Sequence, residues 1–591
     1  MCHHHIFAFS RRAFCVASAA LVLNISSVSA QPRLANEISG GGDLVIIGKV
    51  ATMNATRDVL SPGAIWIRQG KIIAVAKGMA DLALAAKQST IGTSEGDAAD
   101  LLRSAKVLRL EGVIYPGMID LHNHPEYAIY PLLPIKRKYK DRYEWRFYDE
   151  AYARRITNLN TLLTSPQYFN LGTEVGKYGE IKALIGGTTS IQGARVTLPT
   201  AKEECLLRNI ETAGVSNHPT FSRVDIGRDA REWQRMSEER SKGGALVLHL
   251  AEGVGPRMAA EFEAVKRSGL LGPELVAIHG VGLTRTQIDE MGAAAAKLVW
   301  SPLSNFILYG QTVDVAAAKR AGVLISLAPD WTPSGSKSIL GELKVADLVN
   351  QHQLNALFSD DELVEMVTVN PATAIGWGRQ LGQIAAGYLA DLVVVDDREP
   401  GVYRNLIGAV EASIQLVVVR GEALYGDAAI MEALRPGKDL EPMPVGAGKR
   451  VFRAKQIAPN CAGTTVPPMA VSEISAKIQR ALQLKFTDVA GWVSAEQMER
   501  DMKDIALCKT TGQASPVQNP PTVQDAKRFL ACRFQLPFER TLLSPLTTAE
   551  DGQFFSRLRA NSNLPRYLGR LSNYYQPTQG ASRSIVQAPA P

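Results

Sequence analysis

Histidines and a carboxylate recur directly after apolar segments in the middle of this chain. Residues 117–127, GMIDLHNHPEY, end an apolar run with two histidines two positions apart. Three later segments end in a similar way: ALVLHL reaches His249, LVAIH ends at His279 and VLISLAPD ends at Asp330. Imidazole nitrogens and carboxylate oxygens are ligands that suit zinc and other divalent transition metals. The pattern indicates a metal site assembled from four separate strand ends.

His122 and His124 occupy positions i and i+2, so both side chains leave a strand on the same face. Any one of these polar residues alone is explained better as a satisfied polar residue of a core or loop. Five of them at four comparable strand ends need a common explanation, because each buried polar group requires a partner. We therefore expect the five side chains to converge on a metal ion.

Glu252 follows His249 by three residues in the segment HLAEG. If His249 ends its strand, Glu252 lies in the next loop and can fold back over the same site. A carboxylate beside an activated water can take a proton from it and later return that proton to a leaving group. The alternative is a solvated loop glutamate, since most carboxylates in proteins are exposed.

The segments around these residues predict how they are positioned. From about residue 119 to residue 384, short apolar runs alternate with helical segments, which favours a parallel sheet with crossover helices. The length fits a (β/α)8 barrel, whose active sites lie at the carboxyl ends of the strands. A doubly wound sheet is the rival, but no glycine-rich phosphate loop supports it. The third and fourth strands must lie within residues 194–244, where PTFSRVDIG is one candidate.

β-rich segments flank this middle part on both sides. Residues 31–115 and 385–430 are rich in Val and Ile with glycine turns, and we expect them to form one small β domain. The barrel would then occupy residues 116–384. Residues 431–591 combine Pro- and Gly-rich linkers with helical periodicity, and they predict a mainly helical C-terminal extension. The predicted fold class is α/β.

The first thirty residues have the pattern of an export signal. Arg11 and Arg12 precede a mostly apolar run, and small residues precede Ala30 at the expected cleavage position. Paired arginines are typical of a twin-arginine signal. We expect a periplasmic or secreted protein. The apolar run is short for a membrane span, so we expect no stable membrane insertion.

Four cysteines follow this segment: Cys205, Cys461, Cys508 and Cys532. An oxidising compartment allows a disulfide among the last three, such as Cys508 with Cys532. Free buried thiols are an equal alternative, because sequence does not supply the geometry that a disulfide needs. The net charge of +7 on 591 residues gives no indication of nucleic-acid binding. We expect a small-molecule substrate as the partner, and a homo-oligomer stays open.

Several segments together resemble the amidohydrolase superfamily, in particular its deaminase, chlorohydrolase and imidazolonepropionase-like branch. The likeness rests on PGMIDLHNHP, GGTTSIQG, HLAEG, AIHG, WSPLSN, APDWTPSG, TVNPATAIG and GYLADLVVVD, in this order. The resemblance implies a distorted (β/α)8 barrel with a β-sandwich from both flanks. It also implies one divalent metal ion held by His122, His124, His249 and Asp330, with zinc expected and iron or manganese as alternatives.

The same resemblance implies roles for the remaining residues. Glu252, His279 and Asp330 would be catalytic: Glu252 moves the proton, Asp330 also orients the attacking water, and His279 polarises the substrate or touches the metal. His279, Asn305 and Trp331 would bind the substrate, although Trp331 is explained equally well by barrel packing. Branches with two metals use a carbamylated lysine on the fourth strand. Residues 194–244 offer only two lysines, neither in an obvious strand, so we expect one ion.

These residues predict a metal-dependent hydrolase that attacks carbon–nitrogen bonds other than peptide bonds, in an amide, a cyclic amide or an amidine. Two alternatives stay open from the sequence. One is an exported metal- or ligand-binding protein without turnover, and the other is a dipeptidase-like peptidase.

Overall fold

The computed structural model describes residues 42–88, 95–193, 206–212, 215, 218–227, 229–434, 440–446, 448–453, 469–536 and 541–576. All of them belong to one compact unit, Glu37–Pro591. The predicted export signal lies outside the described residues, as do Lys202, Cys205 and Cys461. Within the described residues, no helix has both the length and the apolar character needed to cross a membrane.

The strands are numbered in chain order. They are β1 (Leu44–Ala51), β2 (Val59–Arg68), β3 (Lys71–Ala76), β4 (Lys106–Pro116), β5 (Met118–Asp120), β6 (Thr188–Ile191), β7 (Arg208–Asn209), β8 (Thr220–Arg223), β9 (Ala245–Leu250), β10 (Leu275–His279), β11 (Lys297–Trp300), β12 (Leu324–Leu327), β13 (Leu392–Asp396), β14 (Ile414–Val419), β15 (Glu422–Asp427), β16 (Leu440–Met443) and β17 (Arg450–Arg453).

A nine-stranded sheet joins the two flanks of the chain, in the order β16-β17-β15-β14-β13-β4-β1-β2-β3. Its centre is the antiparallel pair β4 and β13, in which Tyr115 lies opposite Val393. One apolar core contains Ile46 and Ile65 from the first flank together with Leu392 and Leu416 from the second. Both flanks of the barrel segment therefore contribute strands to one sheet.

The sheet continues past the predicted boundary at residue 430. β16 and β17 lie in a segment that the sequence assigned to linker and helix. β17 pairs with β15, and β16 pairs with β17 and forms the edge of the sheet. A proline- and glycine-rich composition concealed these strands, because an edge strand tolerates proline where its N–H would face solvent.

Eight parallel strands, β5 to β12, form the middle part in two sheets, β5-β6-β7 and β12-β11-β10-β9-β8. A parallel bridge between Asn123 and Asp330 joins the two sheets on one side. The candidate segment PTFSRVDIG contains β8, whereas β7 has only two residues. In the described residues no ladder joins β7 to β8.

Helices surround the barrel strands and form most of the C-terminal extension. The α-helices are Leu82–Gln88, Glu95–Ser104, Arg142–Tyr148, Glu150–Tyr152, Leu159–Thr164, Gly172–Ile185, Ala230–Ser241, Pro256–Arg267, Arg285–Ala293, Pro302–Tyr309, Val315–Arg320, Ile339–His352, Asp360–Glu365, Val369–Ala374, Val402–Gly408, Ala428–Leu434, Val471–Leu482, Phe486–Trp492, Ala495–Asp504, Ala506–Thr510, Val523–Phe529 and Phe554–Arg559. Ala153–Asn158 and Leu530–Phe534 are π-helical, and Met79–Asp81, Pro125–Tyr127, Glu411–Ser413 and Arg566–Tyr575 are 3₁₀-helical.

The helix Pro302–Tyr309 lies entirely in the interior, with all eight residues buried. Proline at its first position costs nothing there, because the first N–H groups of a helix have no internal partner. Gly310 ends the helix at a φ of 69°, a left-handed conformation that suits glycine. Both ends are therefore encoded locally, and the helix presents fixed side chains to the strand ends described below.

The C-terminal extension packs on the barrel and contains a disulfide between Cys508 and Cys532, one of the two alternatives that the sequence left open. Its residues also bind the backbone of the loop that follows His124. Ser544 N donates to Ile129 O at 2.9 Å, and Asn561 Oδ1 accepts from Ile135 N at 2.7 Å. The extension thus fixes one side of the barrel mouth.

Candidate active site

The predicted ligands lie together at the carboxyl ends of the barrel strands. His122 and His124 follow β5, His249 is the penultimate residue of β9, and His279 is the last residue of β10. Asp330 follows β12 by three residues. The structure therefore brings all five side chains to one mouth of the barrel, where barrel enzymes hold their active sites.

The distances define one cluster. Asp330 Oδ1 lies 3.0 Å from His122 Nε2 and 3.6 Å from His124 Nε2, and Asp330 Oδ2 lies 3.9 Å from His279 Nε2. The ring centroids of His122 and His249 are 4.6 Å apart. Three overlapping groups of side chains each place their candidate ligand atoms within 4.8 Å of one another. The side chains are thus close enough to share one ion.

Two of the strand ends have an unusual backbone. His279 has a φ of 70° and Asp330 has a φ of 68°, the left-handed region that residues with a side chain rarely adopt. Such positions cost on the order of 1–3 kcal/mol and persist where the surrounding structure holds them. Here Asp330 N donates to His122 O at 3.1 Å, so the backbone of one ligand segment fixes the other.

Hydrogen bonds to Nδ1 fix the orientation of two of the histidine rings. His249 Nδ1 donates to Arg223 O at 3.1 Å, and His279 Nδ1 donates to Asn305 Oδ1 at 2.9 Å. These bonds fix the tautomer and leave each Nε2 lone pair for a ligand, as in many metal-binding histidines. Asn305 was predicted to bind substrate. It is buried, its Oδ1 accepts from His279 Nδ1 and its Nδ2 donates to Thr312 Oγ1 at 3.1 Å, so both ends of its amide have partners, and its substrate-binding role stays a prediction.

The polar atoms of the cluster fit a metal ion. Among the described residues, Nε2 of His122 and Nε2 of His279 are buried without a hydrogen-bond partner. Burial lowers the pKa of His122 to about 3, of His124 to about 4 and of His279 to about 3, and it lowers that of His249 well below its usual value. The rings are neutral at pH 7, which is the form that binds a metal. Buried, unpaired and neutral nitrogens are what a divalent cation would satisfy.

Glu252 lies beside this cluster. Its Oε2 is 3.8 Å from His279 Nε2, and its Oε1 accepts a hydrogen bond of 2.6 Å from Tyr309 Oη. Burial raises the pKa of the Glu252 carboxyl to about 8, although the charge of Arg142 opposes that rise. Glu252 is therefore a buried carboxyl poised to exchange a proton near neutral pH, and the alternative of a solvated loop residue is wrong.

Comparison with known proteins places the chain among hydrolases. The model of the amidohydrolase family matches residues 249–424. The chain is 26% identical over 450 residues to the 5-methylthioadenosine/S-adenosylhomocysteine deaminase of Syntrophobacter fumaroxidans, across 66% of this chain and 95% of that protein. It is 34% identical over 135 residues to the protein of the same name from Pyrococcus furiosus, across 22% of this chain and 32% of that protein.

The chain belongs to the amidohydrolase superfamily.

Solved structures show the same fold. An adenosine deaminase from Xanthomonas campestris with bound zinc is similar over 65% of this chain and 93% of that chain, at a TM-score of 0.50 and 16% identity. A mutant of an atrazine chlorohydrolase from Arthrobacter aurescens, complexed with zinc and atraton, is similar over 64% and 95%, at a TM-score of 0.50 and 16% identity. The predicted fold class is confirmed. This amidohydrolase is a metal-dependent hydrolase of carbon–nitrogen bonds, as predicted.

Other side chains in this amidohydrolase support the cluster, and the sequence did not single them out for these contacts. Asp120, in β5, accepts from His122 N at 3.1 Å and from Asn123 Nδ2 at 2.7 Å, and burial raises its pKa to about 7. Ser304 Oγ donates to Asp330 Oδ2 at 2.5 Å, while burial raises the pKa of Asp330. The sequence shows that Asp120 is a carboxylate at the end of an apolar run. Its hydrogen bonds to His122 N and Asn123 Nδ2 depend on how the chain turns after the strand, which the sequence does not show.

Aromatic rings line the side of the site next to His124. Trp331 stacks on Trp145, with ring centroids 5.5 Å apart and planes inclined by 27°. Tyr127 meets the edge of Trp331 at 5.3 Å, and Tyr152 lies 5.7 Å from it. Trp331 is 6% exposed, and its indole N–H is already occupied, since it donates to Ser334. Both earlier interpretations of Trp331, a face for a planar substrate and a packing role, are consistent with this placement.

Proposed function

We propose that this amidohydrolase is a zinc-dependent aminohydrolase that removes the amino group from a small aromatic nitrogen heterocycle. The observation that carries the proposal is the convergence of unpaired, neutral imidazole nitrogens on Asp330 beside the protonatable Glu252. The relatives named above as deaminases of 5-methylthioadenosine and S-adenosylhomocysteine support an adenine-containing substrate. The aromatic side of the site is consistent with stacking on a planar ring.

His122, His124, His249 and Asp330 would hold the ion. A bound zinc ion supplies Lewis acidity, which lowers the pKa of water from about 15.7 towards about 7 and polarises the carbon–nitrogen bond under attack. The zinc in two similar solved structures supports this choice of ion. The set of three imidazoles and one carboxylate matches the donor types that zinc accepts.

One ion is the expected number. The carbamylated lysine of two-metal relatives would have to come from the fourth strand, and β8 contains no lysine. Lys242 is exposed after the helix Ala230–Ser241, where its Nζ lies 5.5 Å from the Phe221 ring. Among the described residues, no candidate for that second-metal ligand therefore lies on the fourth strand.

Glu252 would move the proton. Its Oε1 is held by Tyr309, which leaves Oε2 facing the cluster. In the reaction, a water oxygen bonds to the ring carbon, Oε2 takes a proton from that water, and Oε2 returns it to the amino nitrogen as the carbon–nitrogen bond breaks. His279 would stabilise the substrate nitrogen or oxygen that gains charge, and Asp330 would orient the attacking water.

The experiment is a metal analysis followed by a substrate screen. Zinc-loaded protein is expected to carry about one zinc per chain and to release ammonia from adenosine, 5′-deoxyadenosine or 5-methylthioadenosine. Simple amides, hydantoins and dipeptides serve as comparison substrates. Cleavage of dipeptides alone would replace the proposal with the peptidase alternative, and turnover of hydantoins alone would move the activity to cyclic amides.

The cellular location is a further part of the proposal: an exported, periplasmic or secreted enzyme. The disulfide between Cys508 and Cys532 supports it, because such bonds persist in oxidising compartments. Cell fractionation tests it, using the full-length chain and a variant with Arg11→Lys and Arg12→Lys. Export of the original chain with retention of the variant is expected. Retention of both in the cytosol would contradict the proposal.

A further inference from the structure

A cleft of about 390 Å³ lies between the C-terminal extension and the loop that follows His124. Its lining comes from the loop, from the π-helical turn Ala153–Asn158 and from the extension, and it shares no residue with the metal cluster. This volume lies in the range of small-molecule sites in proteins, about 300–1,000 Å³. The site is therefore large enough to take a ligand of its own.

The floor of the cleft is apolar and buried. Tyr130, Leu132 and Ile156 are each at most 2% exposed, and Leu484 of the extension is 7% exposed. Leu542, also part of the lining, is 63% exposed, more than any other large aliphatic side chain among the described residues. An apolar floor with an exposed leucine at its edge favours the hydrocarbon part of a ligand.

The rim of the cleft is cationic. Arg154, Arg155 and Arg557 line it, and no carboxylate does so among the described residues. Arg154 pairs with the exposed Glu150. Arg557 donates to the neutral side chain of Gln553, and its charge also acts on the Asp551 carboxylate, which is paired with Lys337. The described residues include no hydrogen-bonding partner for the Arg155 guanidinium. Two guanidinium groups thus remain for an external anion, which they bind well because of their fork of N–H donors.

The position of two of these arginines adds a second observation. Arg154, Arg155 and Ile156 belong to a π-helical turn inserted between two α-helical segments. Such turns are rare and are often found at functional sites, because the extra residue redirects the neighbouring side chains. The irregular backbone therefore coincides with the charged part of the cleft.

From the charge, the apolar floor and the volume, we propose that this cleft binds an amphipathic carboxylate, with the carboxylate on Arg155 and Arg557 and the hydrocarbon on the floor. The occupant is a small molecule with one anionic end, of the class of medium-chain fatty acids. This proposal does not depend on the proposed function, since none of the residues in the cleft takes part in the metal cluster.

Decanoate is the probe, titrated calorimetrically into full-length, zinc-loaded protein. Decanol and decylamine carry the same chain without the negative charge, and inorganic phosphate carries charge without the chain. We expect decanoate to bind at least about tenfold more tightly than any of the three, because charge-assisted hydrogen bonds need the carboxylate. Equal affinity for decanol, or no binding of decanoate at millimolar concentration, would overturn the proposal.

The matched variants are Arg155→Gln combined with Arg557→Gln, and the control Arg559→Gln. Arg559 is exposed on the same helix as Arg557 and does not line the cleft. The double variant is expected to bind decanoate about tenfold more weakly, and the control to bind as the parent does. Zinc content and the unfolding midpoint show that each variant is folded. Undiminished binding by a folded double variant would also overturn the proposal.

Discussion

Glu252 is the residue on which the proposed chemistry depends most directly. Glu252→Gln keeps the shape and the acceptor oxygen but cannot carry the proton. We expect kcat to fall by about 10²–10⁴, the range in which general acid–base catalysis contributes. The zinc content per chain should stay the same, since Glu252 is not in the proposed ligand set. Steady-state kinetics and metal analysis measure the two quantities.

Glu263→Gln is the matched control for that variant, because Glu263 lies in the next helix, where its carboxylate accepts from the Gln287 amide. It should keep the activity of the parent. A Glu252→Gln enzyme with full kcat would remove Glu252 from the mechanism while leaving the metal site untouched.

Tyr309 holds the Glu252 carboxylate, and this contact was not visible in the sequence. Its Oη donates to Glu252 Oε1 and accepts from Trp145 Nε1 at 2.9 Å. Tyr309→Phe removes the buried hydrogen bond to the Glu252 carboxyl. A hydrogen bond to a charged group contributes about 1.5–3 kcal/mol. We expect kcat to fall about 10- to 100-fold with little change in KM.

Tyr115→Phe provides the comparison for Tyr309→Phe. Tyr115, in β4, is also a buried tyrosine, and its Oη donates to Val402 O of the helix Val402–Gly408 rather than to a residue of the cluster. An equal loss of kcat in both variants would show that a general loss of packing, rather than the orientation of Glu252, explains the effect.

The positions of the candidate metal ligands could be predicted from the sequence, whereas their supporting contacts could not. Each ligand follows an apolar run, so its position at a strand end could be inferred from the local sequence. Asn305 and Tyr309 support residues that lie 26 and 57 positions away in the chain. Their partners are set by how a buried helix meets two strand ends, and no local pattern specifies that contact.

At the scale of elements, one short helix organises the site. Pro302–Tyr309 contributes Ser304 to Asp330, Asn305 to His279 and Tyr309 to Glu252. The sequence predicted the strands that carry the ligands because their apolar residues recur regularly. It could not locate β7, which is two residues long, or β16 and β17, whose pairing depends on a strand elsewhere in the sheet.

A side chain of the C-terminal extension binds backbone carbonyl groups of the loop that follows His124 and of the helix Pro302–Tyr309. Asn563 Nδ2 donates to Arg137 O and to Ile307 O, both at 2.7 Å. Asn563→Ala leaves these carbonyl groups without that donor, and an unsatisfied buried group costs about 1–3 kcal/mol. We expect a lower midpoint of urea unfolding and a larger rise in KM than fall in kcat.

Ser556→Ala is the control for the extension, because Ser556 is exposed and donates only within its own helix, to Gln553 O. It should unfold at the same urea concentration as the parent. If Asn563→Ala matched it in both midpoint and KM, the extension would have no part in holding the loop.

At the scale of the whole molecule, a buried lysine links stability to pH. Lys344 is fully buried and donates to Leu340 O and Ala409 O. Burial lowers its pKa from 10.5 to about 7, while the charges of Glu411 and Asp347 oppose that shift. Between these two values the unfolded chain binds more protons than the folded one. Lys344 therefore contributes a rise in stability with increasing pH, of up to about 1.4 kcal/mol per pH unit.

Lys344→Met isolates this contribution, because the other buried groups are common to both proteins. Urea unfolding at pH 7, 8 and 9 measures it. The midpoint of the parent should rise relative to that of the variant as the pH increases. Parallel pH profiles for the two proteins would show that Lys344 keeps its proton in the folded state.

The order of strands in the nine-stranded sheet also determines when that sheet can form during synthesis of the chain. β1 to β4 leave the ribosome first, but β13, the partner of β4, follows only after the entire barrel. Until then one edge of β4 presents unpaired N–H and C=O groups to any other nascent strand. Domains tend to fold from the N-terminus as they emerge, so the barrel must form beside half a sheet. In a chain that stops before residue 392, this edge of β4 would stay unpaired. Truncated products of this protein should therefore aggregate rather than accumulate as soluble barrels.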